Sequence, residues 1–314
     1  MSIKLLCVYH KPSPLWKNDI VYPIHGGRAL LEKKVQSGRI SSADAQWLKD
    51  NMPGDDTGDN ISILNPHFNE MTAIYWAWKN YDQLGTPDYI GFMHYRRQFW
   101  LKTDLEAPDF LTAIGCTEAD IQQAMKGYDG ACLFLPGDRS LRSHLLELGS
   151  DQLLNECLNE IEKQTPQLGA TFRDMTAKQL LNPTRNMFIL PKAEFFRYCE
   201  WIFGILLPLK DRLEICSKGR SVGYTAEMLT TIYFKRLADT GKRILQLDML
   251  YEEDLFPRKL MDRLKAMRRW AAVRLVGPKH KKYAHYVRVE KMRCLRNRFI
   301  YAKRAAFAQE RAGK

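Results

Sequence analysis

The sequence predicts an α/β fold in which a doubly wound, mostly parallel sheet is covered by helices. Short apolar runs that favour β-strands alternate with longer stretches of helical periodicity, and Gly or Pro residues follow most of the runs. Strands separated by helices form parallel sheets with helices on both faces. With 314 residues and 45% apolar content, the chain is long enough to bury a full core.

Five apolar runs are the predicted strands of this sheet. In chain order they are Ile3 to Tyr9, Asp88 to His94, Gly130 to Leu135, Met187 to Leu190 and Arg243 to Leu247. Ligands of doubly wound sheets bind beyond the carboxyl ends of the strands, so the residues that follow these runs are the first candidates for a site.

Two helices and one long loop are predicted between these strands. Helical periodicity covers Glu70 to Leu84, where Gly85 ends it, and a second helix covers Met228 to Leu237. The least regular part of the sequence, Lys17 to Asp59, predicts a long loop folded over the site.

Cysteine usage and hydropathy indicate a cytoplasmic chain that does not cross a membrane. The seven cysteines are scattered and never form a C-x-x-C motif, which argues against a disulfide framework or a zinc site. The apolar run at the N-terminus is too short for a signal peptide. The longest apolar stretch, Phe195 to Leu209, is interrupted by Arg197 and Glu200, so it predicts no transmembrane helix.

Charge divides the chain into a predicted domain over residues 1–257 and a basic tail over residues 258–314. The tail contains nineteen Lys or Arg residues against three acidic ones, whereas the rest of the chain sums to −4. Apolar residues recur in the tail at helical spacing, which predicts an amphipathic helix with a cationic face: Leu260, Leu264, Met267, Ala271 and Leu275.

Such a helix fits an anionic lipid surface, and we expect the tail to bind a membrane peripherally. The residues predicted to contact the membrane are Arg268, Arg269, Trp270, Lys279, Lys281 and Lys282. Two alternatives stay open: the helix packs on the domain with its basic face in solvent, or it binds nucleic acid. Nucleic acid is the weakest of the three because no recognition module accompanies the charge.

The second predicted strand ends in polar and basic residues, His94, Tyr95, Arg96 and Arg97. A guanidinium group matches phosphate oxygens two at a time, so Arg96 and Arg97 fit a diphosphate leaving group without the help of a metal ion. The alternative is that both arginines pair structurally with carboxylates such as Asp88 or Glu70.

Other polar residues are candidates for the same site. Asp59 and Asn60 offer acceptors and donors to a ribose or a uracil edge, unless their side chains only form Asx hydrogen bonds with their own turn. His25 and Asn186 are candidates for the pocket lining, although a lone histidine is more often structural. Asp129 precedes the third strand and is an ambiguous candidate of the same kind.

Glu227 is the predicted general base. It ends a short loop from Arg220 that leads into the second helix, and a glutamate at the mouth of a site can deprotonate an acceptor hydroxyl during sugar transfer. The alternative is a carboxylate of the first helical turn, where a negative charge suits the helix dipole.

The sequence lacks the motifs of several common enzyme classes. It contains no H-E-x-x-H, no P-loop, no G-x-G-x-x-G after a strand and no G-x-S-x-G. Metalloproteases, kinases, dehydrogenases and α/β-hydrolases are therefore disfavoured.

A long series of residues resembles the domain of unknown function 4422 family, a group of predicted bacterial glycosyltransferases from capsule, exopolysaccharide and O-antigen loci. The resemblance covers roughly residues 1–255 and leaves the basic tail outside. It rests on Tyr22-Pro23-Ile24, Gly58-Asp59-Asn60-Ile61-Ser62, Asn65, Glu70-Met71-Thr72, Tyr75 to Asn80, Tyr89 to Arg97, Asn186 to Ile189, Tyr198 to Trp201 and Gly223 to Glu227.

The resemblance implies a GT-A fold with a single nucleotide-binding domain and a UDP-sugar donor. UDP-galactofuranose is a donor associated with part of this family. The implied acceptor is a lipid-linked glycan or a surface polysaccharide such as lipopolysaccharide, at the inner face of the bacterial inner membrane. The implied stereochemistry is inversion, with Glu227 at the place where related inverting enzymes keep their base.

The chain departs from the GT-A pattern at the strand that normally ends in an Asp-x-Asp metal motif. His94-Tyr95-Arg96 stands there instead. The arginines are expected to do electrostatically what Mg²⁺ or Mn²⁺ does elsewhere, and His94 as a lone metal ligand is the open alternative. Two rival functions also stay open, a polysaccharide phosphotransferase and a non-enzymatic adaptor that binds membranes or nucleic acid through the basic tail.

Overall fold

The computed structural model describes residues 1–133, 136–147, 151–181, 183–210, 221–251, 291 and 294–312. Within these ranges a seven-stranded sheet and a two-stranded sheet are surrounded by helices. The strands are β1 (Ile3–Tyr9), β2 (Val21–His25), β3 (Tyr89–His94), β4 (Arg97–Trp100), β5 (Gly130–Leu133), β6 (Pro136–Ser140), β7 (Leu180–Leu181), β8 (Phe188–Pro191) and β9 (Ile244–Tyr251).

Twelve α-helices lie in the described ranges, several of them started by side-chain caps. Ser41, Asp109 and Thr117 accept hydrogen bonds from the first backbone amides of the second, fifth and sixth helices. The helices are α1 (Leu31–Gln36), α2 (Ser42–Asn51), α3 (Asn65–Phe68), α4 (Met71–Lys79), α5 (Phe110–Ala113), α6 (Glu118–Met125), α7 (Leu141–Glu147), α8 (Asp151–Gln164), α9 (Pro166–Lys178), α10 (Lys192–Leu206), α11 (Ser221–Asp239) and α12 (Tyr301–Ala312).

The large sheet is mixed, which corrects the expectation of a mostly parallel one. β1 lies between β2 and β3 and is parallel to both, while β8 pairs antiparallel with β3 and with β5. β9 is parallel to β5, and β4 pairs antiparallel with β9. Only Tyr95 and Arg96 separate β3 from β4, and so short a connection permits only antiparallel pairing.

Five strands nevertheless point the same way, namely β1, β2, β3, β5 and β9. Their carboxyl ends lie on one side of the sheet, which we call the carboxyl edge. The α/β class predicted from the sequence is therefore confirmed, and the carboxyl edge is where the class places its ligands.

Alternation along the strands builds a core on each face of the sheet. In β1, Leu6 and Val8 belong to the core formed with α4, α8, α9, α10 and α11. Leu5 and Cys7 belong to the opposite core, formed with α2, α5, α6 and residues before α12. Helices thus cover both faces.

The prediction of a long loop from Lys17 to Asp59 was wrong. That segment contains β2, α1 and α2, and the edge position of β2 accommodates Pro23. Arg28 ties the segment together, because its Nη2 donates to the carbonyl oxygens of Leu48 at 2.9 Å and Met52 at 2.8 Å.

Other predicted boundaries moved by a few residues. The helix expected over Glu70 to Leu84 divides into α4 and a 3₁₀ turn at Tyr81–Leu84. The helix expected from Met228 begins at Ser221, so Glu227 lies inside α11 and not in a preceding loop. The last two residues of the predicted third strand, Phe134 and Leu135, lie outside the described residues.

The described end of the basic tail packs on the body. The ring of Phe307 lies 5.4 Å from that of Trp47, and Lys303 Nζ lies 4.7 Å from the centre of the Trp16 ring. Arg311 forms an ion pair with Asp44. The predicted amphipathic helix and all six predicted membrane-contact residues fall within residues 252–290, outside the described residues.

No helix in the described part of the chain is long and apolar enough to cross a membrane.

Candidate active site

Three parallel strands bring polar residues to one point of the carboxyl edge. The pairing register sets Tyr9 of β1 opposite His25 of β2, and Val8 opposite His94 of β3. His25 and His94 therefore end the two strands that flank β1, and His10 follows β1 itself. The carboxyl edge thus presents imidazole groups beside the two arginines that follow β3.

His94 is fixed by the turn that leads into β8. Its Nε2 lies 2.9 Å from the carbonyl oxygen of Arg185, so Nε2 carries the proton and donates. Burial lowers the pKa of His94, with Arg97 and Arg185 acting in the same direction and Glu70 opposing them. His94 is accordingly a neutral ring that interacts with two guanidinium groups and a carboxylate.

Two carboxyl groups from distant helices join this cluster. Glu70 immediately precedes α4, and Glu227 comes from α11. Burial raises the pKa of Glu227 to about 8, helped by the charge of Glu70 and opposed by Arg185 and Arg97. At neutral pH the folded protein therefore holds Glu227 mainly in its protonated form.

Asn186 joins the two halves of the cluster. Its Nδ2 donates to Glu70 Oε1 at 2.7 Å, and its Oδ1 accepts from Thr230 Oγ1 at 2.9 Å. The Tyr198 hydroxyl lies 2.8 Å from the same Thr230 Oγ1. Asn186, which the sequence suggested for the pocket lining, therefore connects Glu70 to α11 and holds the Glu70 carboxyl group in position.

The backbone around this cluster adopts uncommon conformations. Arg185 and Asn186 have φ of 56° and 54°, and Asn69, just before Glu70, has φ of 50°. A Cβ built on Gly223 would lie 2.0 Å from Asn69 Nδ2, so only glycine permits α11 to approach this closely. Such conformations persist where the surrounding structure enforces them, and they concentrate at functional sites.

The turn between β3 and β4 holds Arg96 and Tyr95. Tyr95 is buried, with its ring stacked 5.1 Å from that of Tyr9. Its carbonyl oxygen accepts from Trp16 Nε1 at 2.9 Å, and the Arg96 guanidinium lies 5.3 Å from the centre of its ring. Tyr95 therefore shapes the turn from which the arginines project.

His25 lies at the same edge but is completely buried. Its Nδ1 accepts from Arg28 Nε at 2.7 Å, which leaves the proton on Nε2. Burial, and then the charge of Arg28, lower its pKa to about 3, so the ring stays neutral. Nε2 has no hydrogen-bond partner among the described residues.

Beside His25 lies a buried carboxylate, Asp55, that the sequence did not single out. Its Oδ2 accepts from Gly27 N at 2.9 Å and its Oδ1 from Arg28 N at 3.1 Å. The hydroxyls of Ser62 and Thr72 donate to it as well, each at 2.5 Å. Asp55 therefore fastens the end of β2 to the segment that leads into α4.

Asp59 and Asn60, the predicted donor-binding pair, form their hydrogen bonds elsewhere. They are not among His94, Arg97, Arg185, Glu70 and Glu227, which we call the arginine cluster. Asn60 Nδ2 donates to Gly58 O at 2.9 Å, which is the local Asx arrangement weighed as the alternative. Asp59 Oδ1 accepts from the Tyr75 hydroxyl at 3.1 Å, and its carbonyl from Asn80 Nδ2 at 2.8 Å. Asn80 lies about 15 Å along the helix from Glu70.

Asp129 lies at the edge of the sheet opposite the carboxyl edge. It precedes β5, whose direction is that of β3, and thus sits at the amino ends of the strands. Its carboxylate accepts from Arg243 N at 2.8 Å and Lys242 Nζ at 3.3 Å. Asp88 is similarly placed before β3 and accepts from Ser2 N at 2.7 Å, so it is no partner for Arg96 or Arg97.

The donor set at the end of β3 does not fit a divalent metal ion. His94 Nε2 donates to a carbonyl oxygen, Glu227 is protonated at neutral pH, and two guanidinium groups adjoin them. A hard cation prefers several ionised or neutral oxygen ligands. In the ranges that the structure describes, no three His, Cys, Asp or Glu side chains are grouped to hold a metal.

Comparison with solved structures gives one informative likeness. The chain is similar to the apo structure of WbbM, a bifunctional glycosyltransferase, with 27% sequence identity and a TM-score of 0.63. The match covers 80% of this chain and 45% of that one, so the chain spans less than half the length of WbbM. No curated protein sequence matches significantly.

A family profile accounts for most of the sequence. The family described as Domain of unknown function (DUF4422) matches residues 4–238, a range that contains every element of the arginine cluster. The chain therefore belongs to the DUF4422 family.

Proposed function

We propose that the protein is a glycosyltransferase that transfers a sugar from a nucleotide-sugar donor to a glycan. The observation that carries the proposal is that Glu227 interacts electrostatically with Arg97, Arg185 and Glu70 at the carboxyl edge. The likeness to a bifunctional glycosyltransferase at 27% identity supports it. The two arginines supply positive charge where a diphosphate leaves, and a carboxyl group supplies proton transfer.

The arginines replace a metal in this proposal. Sugar transfer develops negative charge on the departing diphosphate, and pre-placed cations stabilise that charge. Arg97 and Arg185 both act electrostatically on Glu227 and on His94, and Arg96 precedes Arg97 in the sequence. A guanidinium fork binds phosphate oxygens in a bidentate manner that a lysine does not reproduce.

The finer features remain part of the same proposal. We expect a GT-A type nucleotide-binding domain, a UDP-sugar donor with UDP-galactofuranose tested first, and an inverting mechanism. The acceptor would be a lipid-linked glycan or polysaccharide of the bacterial surface, of the capsule or O-antigen class. The basic tail would keep the protein at the inner face of the membrane, since Lys and Arg clusters bind anionic lipid.

Calorimetric titration with UDP tests the proposal. We expect micromolar binding that is the same with Mn²⁺ and with EDTA, and a loss of at least tenfold in Arg97→Gln and in Arg185→Gln. Arg173→Gln is the matched control, because Arg173 pairs with Glu162 on the surface of α9. Binding that requires Mn²⁺ would refute the arginine clamp.

Two further outcomes separate the rival functions. If no nucleotide binds, the chain is not a transferase of this kind, and the adaptor function gains weight. If the nucleotide binds, the mass of the product distinguishes transfer of a sugar from transfer of a sugar phosphate.

A further inference from the structure

We infer that Glu70, and not Glu227, takes the proton from the acceptor hydroxyl. The inference rests on the proposed function and deepens it, because it assigns the general base to a residue that precedes α4. Glu227 interacts electrostatically with Glu70 and with Arg185 and Arg97, so both carboxyl groups are candidates for the role.

Access favours Glu70. Its side chain is half-buried, whereas Glu227 is only 9% exposed and lies among the buried residues of α11. A general base must come within hydrogen-bond distance of the proton that it removes. Glu70 is therefore the more accessible of the two carboxyl groups to an acceptor.

Hydrogen bonding favours Glu70 as well. Asn186 Nδ2 donates to Glu70 Oε1 at 2.7 Å, and a donated hydrogen bond stabilises the ionised form of a carboxyl group. The other end of the amide, Asn186 Oδ1, lies 2.9 Å from Thr230 Oγ1. Glu70 is thus held as an acceptor in one orientation.

The protonation state of Glu227 also argues against it as the base. Burial and the charge of Glu70 raise the pKa of Glu227 to about 8, although Arg185 and Arg97 oppose the shift. Neutral His94 also faces the cluster and adds no charge. A carboxyl group that retains its proton at neutral pH cannot accept another, so Glu227 is the poorer candidate for the base.

The acceptor hydroxyl gives its proton to the Glu70 carboxylate, and its oxygen forms the new bond to the anomeric carbon. The bond from that carbon to the phosphate oxygen breaks, and its electron pair leaves with the nucleoside diphosphate, opposite Arg97 and Arg185. Glu227 keeps its proton throughout.

Two isosteric variants test this assignment. The assay measures the release of UDP from the UDP-sugar that the wild type turns over. Glu70→Gln keeps the bond from Asn186 but removes the base, and should lower kcat at least 100-fold with UDP affinity changed less than threefold. Glu227→Gln, which keeps a hydrogen-bond donor, should lower kcat at least tenfold less than Glu70→Gln does. Asp239→Asn, which alters an exposed ion pair with Lys235, is the control.

Carbon-13 NMR of labelled glutamate carboxyls gives a readout that needs no turnover. The titration near pH 8 should disappear in Glu227→Gln and move to lower pH in Glu70→Gln, since Glu70 contributes to that shift. The assignment is overturned if the titration disappears in Glu70→Gln, or if Glu227→Gln alone is inactive. Failure of the wild type to bind UDP would instead overturn the proposed function.

Discussion

Asn186 donates a hydrogen bond of 2.7 Å to Glu70 across a separation of 116 residues. The bond joins the turn before β8 to the start of α4. Thr230 of α11 holds the other end of the amide, and Tyr198 of α10 approaches Thr230 at 2.8 Å. Three helices and a strand therefore fix one carboxyl group at the carboxyl edge.

Replacing Asn186 should destabilise the fold and loosen Glu70 together. Asn186→Ala removes a buried amide and leaves its two partners, Glu70 and Thr230, without that hydrogen bond. We expect the free energy of unfolding to fall by about 1–3 kcal/mol. Asn186→Asp should cost more, because it sets a second negative charge against Glu70. Urea denaturation at pH 7 measures both changes.

The pH of the measurement supplies a control for the aspartate variant. Its excess cost over Asn186→Ala should shrink at pH 4, where the introduced carboxyl group becomes protonated. An equal cost at both pH values would show that charge repulsion with Glu70 is not the cause.

The contact between Gly223 and Asn69 gives a second prediction. Gly223→Ala places a Cβ about 2.0 Å from Asn69 Nδ2, and we expect a loss of about 1–3 kcal/mol from overpacking. Asn69→Gly removes the obstructing side chain and suits the φ of 50° at that position. The double variant should therefore recover most of the loss, as a double-mutant cycle in urea would measure.

Gly204→Ala is the matched control for this cycle. Its new Cβ would lie 3.6 Å from Gln164 Oε1, an ordinary contact, within helix α10. Alanine is the better helix former, so this variant should be neutral or more stable by up to about 1 kcal/mol. Additive losses in the Gly223 and Asn69 variants would contradict the overlap.

Local patterns sufficed to predict the elements that carry one end of the site. β1 was predicted with its observed bounds, and β3 with an error of one residue, because each is a buried apolar run that ends in polar residues. The polar residues after β3 do lie at the carboxyl edge. A strand period and its end signals are properties of neighbouring residues, which a sequence displays directly.

The other half of the cluster depends on contacts that the sequence does not display. The turn of Arg185 and Asn186 reaches His94 and Glu70 because β8 enters the sheet antiparallel beside β3. The sequence placed Glu70 only as a structural partner and gave Arg185 no role. A sign of the latter was available in Thr184-Arg185-Asn186, a polar turn that opens an apolar strand.

Replacement of Asp55 by asparagine should destabilise the fold. Its two oxygens each accept from a different backbone N–H, those of Gly27 and Arg28. In Asp55→Asn, either orientation turns the NH₂ group toward one of these donors, and we expect a loss of about 2–3 kcal/mol. Thermal denaturation should show this, while Asp50→Asn, at an exposed carboxylate, should have little effect. Equal melting temperatures would mean that the bonds to Asp55 contribute little.

The raised pKa of Glu227 makes the fold less stable as the pH rises. The folded state retains the proton up to about pH 8, whereas an unfolded glutamate releases it near 4.5, so stability falls between these values. His25 has the opposite effect, because its pKa falls from 6.5 to about 3 and its contribution is lost as pH falls through that window. The two windows overlap below pH 6.5.

Of these two effects only that of Glu227 operates between pH 6.5 and 8, and the wild type should lose about 1.4 kcal/mol per pH unit near pH 6.5 and about half of that near pH 8. Glu227→Gln cannot ionise, so its free energy of unfolding should be nearly flat over that range and exceed that of the wild type at pH 8. Urea denaturation at pH 6.5, 7.2 and 8 measures the slopes. Parallel slopes would show that Glu227 does not retain its proton, which would also remove the reason for its exclusion as the base.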